Sequence, residues 1–404
     1  MPNLISLEVN NQTYSNFLSY SIEKDIENLC GTFSLEISAS DEFGDLPITP
    51  NDAIRVTIDG EPVITGYVDE MTIDYSAESH TISLTGRDKT ADFVDSKLDS
   101  KTFSPPIGFE ELLRKLLRIV GYQVVPIPTR IGLSATSNQI SIINNYGPIP
   151  QFTTAEGIQL RSSESAYELI KRCAEKRQIL VNSDGNGNIV INRIGADIAP
   201  TILQNSKSES NNNNIKNGRA RFSWQDRFRT YKIKSMTTQG NSSTNILFNN
   251  DSTVAPNSDP ISTTPQVGTA TDPDVRATRI YSAIGSSAMT SADCRKRAEW
   301  EANIRKTKGF SYSCEVYGFR QNLNEVIAAN PLWKPNQLVY IFDEFADLDN
   351  EFLIKSVNYT QDLNKGSITK LELVDKDAYT TSIFEPLLRK RKGKKTSNQI
   401  LFPV

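Results

Sequence analysis

Ser79-His80-Thr81-Ile82-Ser83-Leu84-Thr85-Gly86-Arg87-Asp88-Lys89-Thr90-Ala91-Asp92-Phe93-Val94-Asp95 reads in two halves. Through Leu84 the apolar residues fall at every second position, the period of a half-buried strand. Gly86 ends that strand, Arg87 to Thr90 turn the chain, and Ala91 to Val94 pack back. The stretch therefore closes a small β-domain rather than performing chemistry. His80, the single histidine of the chain, stands on the polar, outward side of the alternation.

Toward the N-terminus the same period holds at Phe33, Leu35 and Ile37 and again at Ile54, Val56 and Ile58. Turn signals at Asn10-Asn11, Asp41 to Pro50 and Asp59-Gly60 separate about six strands with no helix between them. Residues 1–98 are thus expected to form an antiparallel sheet closed into a small barrel or sandwich. Toward the C-terminus the period changes. Phe109, Leu112, Leu113, Leu116, Leu117 and Val120 line one helix face, with Gly121 as its stop. A capping box, Ser165 to Glu168, opens a second helix, and the segments Ile179 to Val181 and Ile189 to Ile191 read as a hairpin. Residues 99–198 are expected to be a small α+β domain.

The Asn-rich stretch 199–218 is read as a linker, and the polar run 236–275 as a long insertion. Residues 219–376, with a helix near Ser291 to Arg305, are read as a second antiparallel barrel, and 377–404 as a basic arm. The expected fold is mainly β, two barrels flanking an α+β domain.

A chain of 404 residues has room for two to three domains. Its 44 basic and 48 acidic residues are unevenly spread, because Arg389, Lys390, Arg391, Lys392, Lys394 and Lys395 crowd the C-terminus with no acid after Glu385. An acidic body argues against a nucleic-acid-binding face, which needs clustered cations. Ile400, Leu401 and Phe402 follow the basic run, and three apolar residues gain little at a free terminus unless something receives them. No apolar run is long enough to span a membrane and the first ten residues lack a signal-peptide pattern, so neither insertion nor conventional secretion is expected.

Cys30, Cys173, Cys294 and Cys314 have no metal-ligand spacing, and one histidine removes the usual base of most hydrolase mechanisms. Neither cofactor nor metal is expected. Asp184-x-Asn186-x-Asn188 echoes a calcium loop and Asp343 to Glu351 offers several carboxylates, but both are read as hairpin turns. A glycoside-type hydrolase using a pair such as Asp92 and Asp95 or Glu110 and Glu111, and a glycan-binding adhesin, are the competing readings.

The segment Gly86-Arg87-x-x-Thr90-Ala91-Asp92-Phe93-Val94-Asp95 resembles the Gly-Arg-x-x-Thr-Ala-Asp-Leu-Val-Asp segment of the Mu-type phage tail protein P, the baseplate hub of contractile tails, with Phe93 in place of leucine. Trp333-x-Pro335-Asn336-x-Leu338-Val339, the run Leu353 to Tyr359 and the run Gly366 to Leu373 are similar to the same family. The resemblance implies a non-enzymatic, T4-hub-like virion protein. It would form a homotrimeric ring, a pseudo-sixfold adapter between the sixfold tail tube, or its initiator, and the threefold cell-puncturing spike. Baseplate wedge proteins would surround it, DNA would pass through without specific binding, and the ring would assemble in the host cytoplasm. The basic arm is expected to steer by charge and anchor through Ile400, Leu401 and Phe402 on a neighbour.

Overall fold

The computed structural model describes residues 4–38, 48–76, 80–126, 138–153, 158–177, 179–208, 212–238, 263–284, 291–321, 330–362 and 366–376. These fall into two compact units, Arg227–Ile304 and the remainder.

In the larger unit the N-terminal alternation becomes β1 (Ile5–Val9), β2 (Gln12–Tyr14), β3 (Ser19–Asp25), β4 (Thr32–Ser38), β5 (Ala53–Ile58), β6 (Glu61–Tyr75) and β7 (His80–Asp88). The strand beyond the six expected is β2, three residues with Tyr14 alone against the core, too short for apolar periodicity to mark. Its partner is β1, across the Asn10-Asn11 turn, where both asparagines adopt positive φ.

The middle region contains α1 (Ala91–Asp95), β8 (Lys101–Phe103), α2 (Phe109–Val120), β9 (Gln123–Val124), β10 (Gln139–Ile140), β11 (Ile142–Asn144), β12 (Ile158–Leu160), α3 (Ala166–Arg177), β13 (Leu180–Ser183) and β14 (Ile189–Asn192). Gly121 ends α2 at φ 112°, a conformation glycine enters without steric cost. The capping box forms as spelled: Ser165 N donates to Glu168 Oε2 at 2.7 Å and Glu168 N to Ser165 Oγ at 3.2 Å. Phe109, Leu112, Leu113, Leu116 and Leu117 meet Leu169, Ile170, Ile189 and Ile191 in a core of their own.

β15 (Asp197–Ile198), β16 (Leu203–Asn205) and β17 (Ile215–Phe222) follow. The stretch expected as a linker is therefore part of the sheet. Leu203–Asn205 pairs in parallel with Ile341–Asp343, Leu203 is buried, and Asn214 Nδ2 reaches Ile202 O at 2.7 Å. The asparagines supply turn hydrogen bonds, so polarity here marks a tight connection rather than a tether.

The smaller unit holds β18 (Thr230–Thr238), β19 (Thr263–Thr271), β20 (Ile280–Ile284) and α4 (Ser291–Thr307), whose last three residues lie in the larger unit. Part of the expected insertion is thus strand. β19 pairs antiparallel with the whole of β18, although its Thr, Pro and Gln residues hide the alternation. Residues 239–262 lie outside the described residues. Tyr231 and Ile233 pack on Cys294, Ala298 and Ala302 of α4. Gly268 allows that approach, since a Cβ there would stand 2.0 Å from Arg295 N.

Back in the larger unit, β21 (Phe310–Tyr317), β22 (Gln337–Asp343), β23 (Leu348–Asp362) and β24 (Gly366–Val374) complete the chain. The order β17-β21-β24-β23-β3-β4-β7-β6-β5-β1-β2 makes one sheet of the N- and C-terminal strands, joined where Ser356–Gln361 of β23 pairs with Tyr20–Asp25 of β3. Beneath it lies one core, with Leu7, Ile22, Leu35, Val56 and Leu84 from the first region and Tyr312, Ile341, Val357 and Leu371 from the last. Each such side chain contributes about 1.5–3 kcal/mol on burial, against at most ~1 kcal/mol for a surface ion pair, so the shared core dominates the joint.

Candidate functional site

The motif turn sits where the sheet meets the middle region. Gly86 lies on the core side of β7, and a Cβ there would stand 2.2 Å from Tyr67 O and 2.6 Å from Phe33 Cζ. Only glycine fits between those neighbours. Arg87, one residue on, points to the other side. Its Nε donates to Asp69 Oδ2 at 2.7 Å and its Nη2 to Asp95 Oδ2 at 2.8 Å. Asp69 is the extra residue of a bulge in β6, between Val68 and Glu70. The guanidinium thus clamps a bulge to the end of α1, and the two carboxylates push its pKa further up. Thr90 occupies the cap position of α1, Ala91 is buried under it, and Asp92 is exposed, its carboxyl shifted upward mainly by desolvation.

Asp88 is the buried centre. Its Oδ2 accepts from Gly31 N at 2.6 Å and Ser183 Oγ at 2.5 Å, and its Oδ1 accepts from both the amide and the hydroxyl of Thr90. Burial pushes this carboxyl up against the pull of those donors and of Lys24, whose ammonium burial pushes down. With every lone pair engaged inside the protein, Asp88 is a fastener rather than a base. Lys89 extends the fastening: its Nζ reaches Gln139 O at 2.7 Å and its carbonyl takes the hydroxyl of Tyr122 at 2.5 Å. The hairpin between β13 and β14 docks beside it, with Thr65 Oγ1 on Gly185 O at 2.8 Å and no room for a Cβ at Gly185, 1.9 Å from Pro62 O.

The second feature is the face of the sheet turned away from the core. Its cross-strand rows run Ser21, Ser34, Thr85, Glu70, then Ser19, Glu36, Ser83, Thr72, then Ser38, Thr81, Asp74. Hydroxyls dominate, and Glu36 is itself held by Ser19 Oγ at 2.7 Å. The face continues across the joint, where Ser21 Oγ donates to Asn358 Oδ1 at 3.0 Å and Lys370 follows beside Asn358. Over β3, β4, β6 and β7 this is a hydroxyl-rich, acidic surface, with Arg87 paired to its two carboxylates.

The other sequence candidates are structural. Asp184 Oδ1 accepts from the amides of Asn186 and Asn188, each at 2.8 Å, so the calcium echo is a self-capped turn. Asp343 takes Tyr312 Oη at 2.6 Å and the amides of Phe345 and Ala346. Glu110 and Glu111 pair with Arg114 and Lys115 along α2. His80 is exposed opposite Tyr75. Among the described residues no group of His, Cys, Asp and Glu could hold a metal ion, and no helix is long and apolar enough to cross a membrane. The arm residues Arg389, Lys390, Arg391, Lys392, Lys394, Lys395, Ile400, Leu401 and Phe402 lie outside the described residues. Asp69 and Ser183 were not legible as partners of the motif, because a bulge leaves no mark on hydrophobic period and a contact 95 residues away leaves none on spacing.

Similarity to known proteins extends over nearly the whole chain. The family model described as Mu phage baseplate assembly protein GpP-like, N-terminal, matches residues 4–88, and that of the fourth domain of Mu phage baseplate assembly protein GpP matches 290–382. The baseplate hub protein gp44 of Escherichia phage Mu is 25% identical over 394 residues, 97% of this chain and 93% of that protein. The 43 kDa tail protein of prophage MuSo2 from Shewanella oneidensis has 26% identity and a TM-score of 0.71, covering 93% of this chain and 99% of that one. The tail protein from Neisseria meningitidis MC58, at 18% identity, shares the fold with a TM-score of 0.69 over 95% of this chain and 100% of that one.

Proposed function

We propose that this chain, which belongs to the Mu GpP-like baseplate hub proteins and is a structural component of the phage tail baseplate, works as one third of a ring through which DNA leaves the particle. The observation that carries the reading is the single sheet spanning both ends of the chain, with a shared core on one side and the hydroxyl-rich acidic face on the other. A wall for sliding DNA needs few free cations, since each phosphate contact adds salt-dependent affinity. Among the described residues the main strand order of the sheet ends on β17 and β2. Three copies joined head to tail would cover edges that otherwise invite aggregation.

In this reading the two strand regions of each subunit give the ring its pseudo-sixfold character. The tail tube or its initiator sits above, the threefold spike below, wedge proteins outside, and assembly takes place in the host cytoplasm. The role is non-enzymatic in this reading: of the carboxylates that could serve a hydrolase, Asp95, Glu110 and Glu111 are engaged in ion pairs with Arg87, Arg114 and Lys115. Light scattering of the chain co-expressed with its spike should give three copies, and a strict monomer in that mixture would sink the ring. Zymography on peptidoglycan should show no clearing; a cleared band would replace the structural reading with an enzymatic one.

A further inference from the structure

The smaller unit has a sheet face that no described residue within it covers. α4 packs on the side bearing Tyr231 and Ile233, which leaves Thr230, Lys232 and Lys234 of β18 facing away, flanked in register by Val267, Thr269 and Thr271 of β19 and by Ile280, Ser282 and Ile284 of β20. Lys234 lies between Val267 and Ile284, and Lys232 between Thr269 and Ser282. Val267, Ile280 and Ile284 are 45%, 57% and 85% exposed. None of these nine positions is acidic, and neither lysine has an ion-pair partner among the described residues.

Charge separates the two units in the same sense. Residues 227–304 carry 9 basic and 7 acidic residues, whereas the rest of the chain up to Leu388 carries 29 and 41. We infer that this lysine-centred apolar face docks on the acidic larger unit of a second copy of the chain. The inference rests on the ring reading and gives it a contact. Two copies meeting by this same face would set lysine against lysine, a juxtaposition that costs several kcal/mol. Charge of one sign on one unit and the other sign on the next therefore selects a head-to-tail contact, the kind that closes rings, over a twofold dimer. The apolar residues supply the hold and the lysines the choice of surface.

The test is sedimentation equilibrium of the full-length chain with its spike at low and high salt. Lys232→Glu with Lys234→Glu should raise the trimer dissociation constant about tenfold or more at low salt, with the gap narrowing at high salt as the charges are screened. Val267→Ser with Ile284→Ser should weaken the trimer at both salt concentrations. All four side chains point outward, so thermal melts should match the unmodified chain. A Lys232→Glu, Lys234→Glu trimer of unchanged affinity at low salt overturns the inference while leaving the ring intact. An unmodified chain that stays monomeric overturns both.

Discussion

At the scale of single residues, the motif turn ties the sheet to the middle region through Arg87 and Asp88. Removing the Asp88 carboxylate would leave the amides of Gly31 and Thr90 and the hydroxyl of Ser183 without their acceptor in a buried setting. Asp88→Ala is therefore expected to cost about 3 kcal/mol, read as a lowered urea midpoint with an unchanged slope. Cys30 gives a pH-dependent readout nearby. Burial, reinforced by Asp88, pushes its thiol up to about 11. At pH 8 the thiolate fraction is then about a hundredth of an ordinary cysteine's, and reaction of the native protein with a thiol reagent should be slower by roughly that factor. Because the folded-state value is raised, the stability associated with the protonated thiol is present below pH 9 and is lost as pH climbs through about 11. A thiol that reacts at the unfolded rate at pH 8 would contradict this.

At the scale of elements, the structure separates what local pattern encodes from what it cannot. The period-two runs around Phe33, Val56 and Leu84, the stripe of α2, its Gly121 stop and the Ser165 box were all legible, because each is set by neighbours within a few residues. The pairing of β3 with β23 was not, since alternation states that a strand has an inner face but not which strand lies beside it. Leu203 was missed because Ile202 beside it breaks the alternation and a polar run follows it, and β19 because threonine and proline disguise its period. Of the motif, the need for glycine at position 86 and the turn after it could be read; the clamp on Asp69 and the burial of Asp88 could not. Arg320 is a second hidden tie. Its Nε reaches Asp59 Oδ2 at 3.1 Å and its Nη1 reaches Asn330 O at 2.7 Å, linking the C-terminal strands to the β5–β6 turn. Arg320→Ala should cost about 3 kcal/mol, because it strands a buried carbonyl and an acid facing it. Comparison of thermal melts with those of Glu8→Ala, which loses a partly exposed pair with Arg55, gives the contrast.

At the scale of the molecule, the proposed ring assigns sliding to the acidic body of the chain and gripping to its basic C-terminal run. Deletion after Leu388 removes six cations and the apolar Ile400-Leu401-Phe402 end, and no described contact depends on them. The truncated chain is expected to melt like the full one yet to yield fewer infectious or contractile particles. Serine at 400, 401 and 402 should reproduce most of that defect without altering the charge. Wild-type particle yield from the truncation would identify the arm as a solvated terminus.

The joint between β3 and β23 also imposes an order in time. Ser21 and the Asn358 side chain it meets are 337 residues apart, so a ribosome adding roughly 5–20 residues per second emits β3 tens of seconds before its neighbour exists. Through that interval the N-terminal half-sheet has an unpaired flank, and the polar face is interrupted where the second region will continue it. A prematurely terminated chain lacks β23 and so keeps the flank of β3 unpaired. A strand edge that only the finished molecule closes thereby distinguishes complete chains from truncated ones.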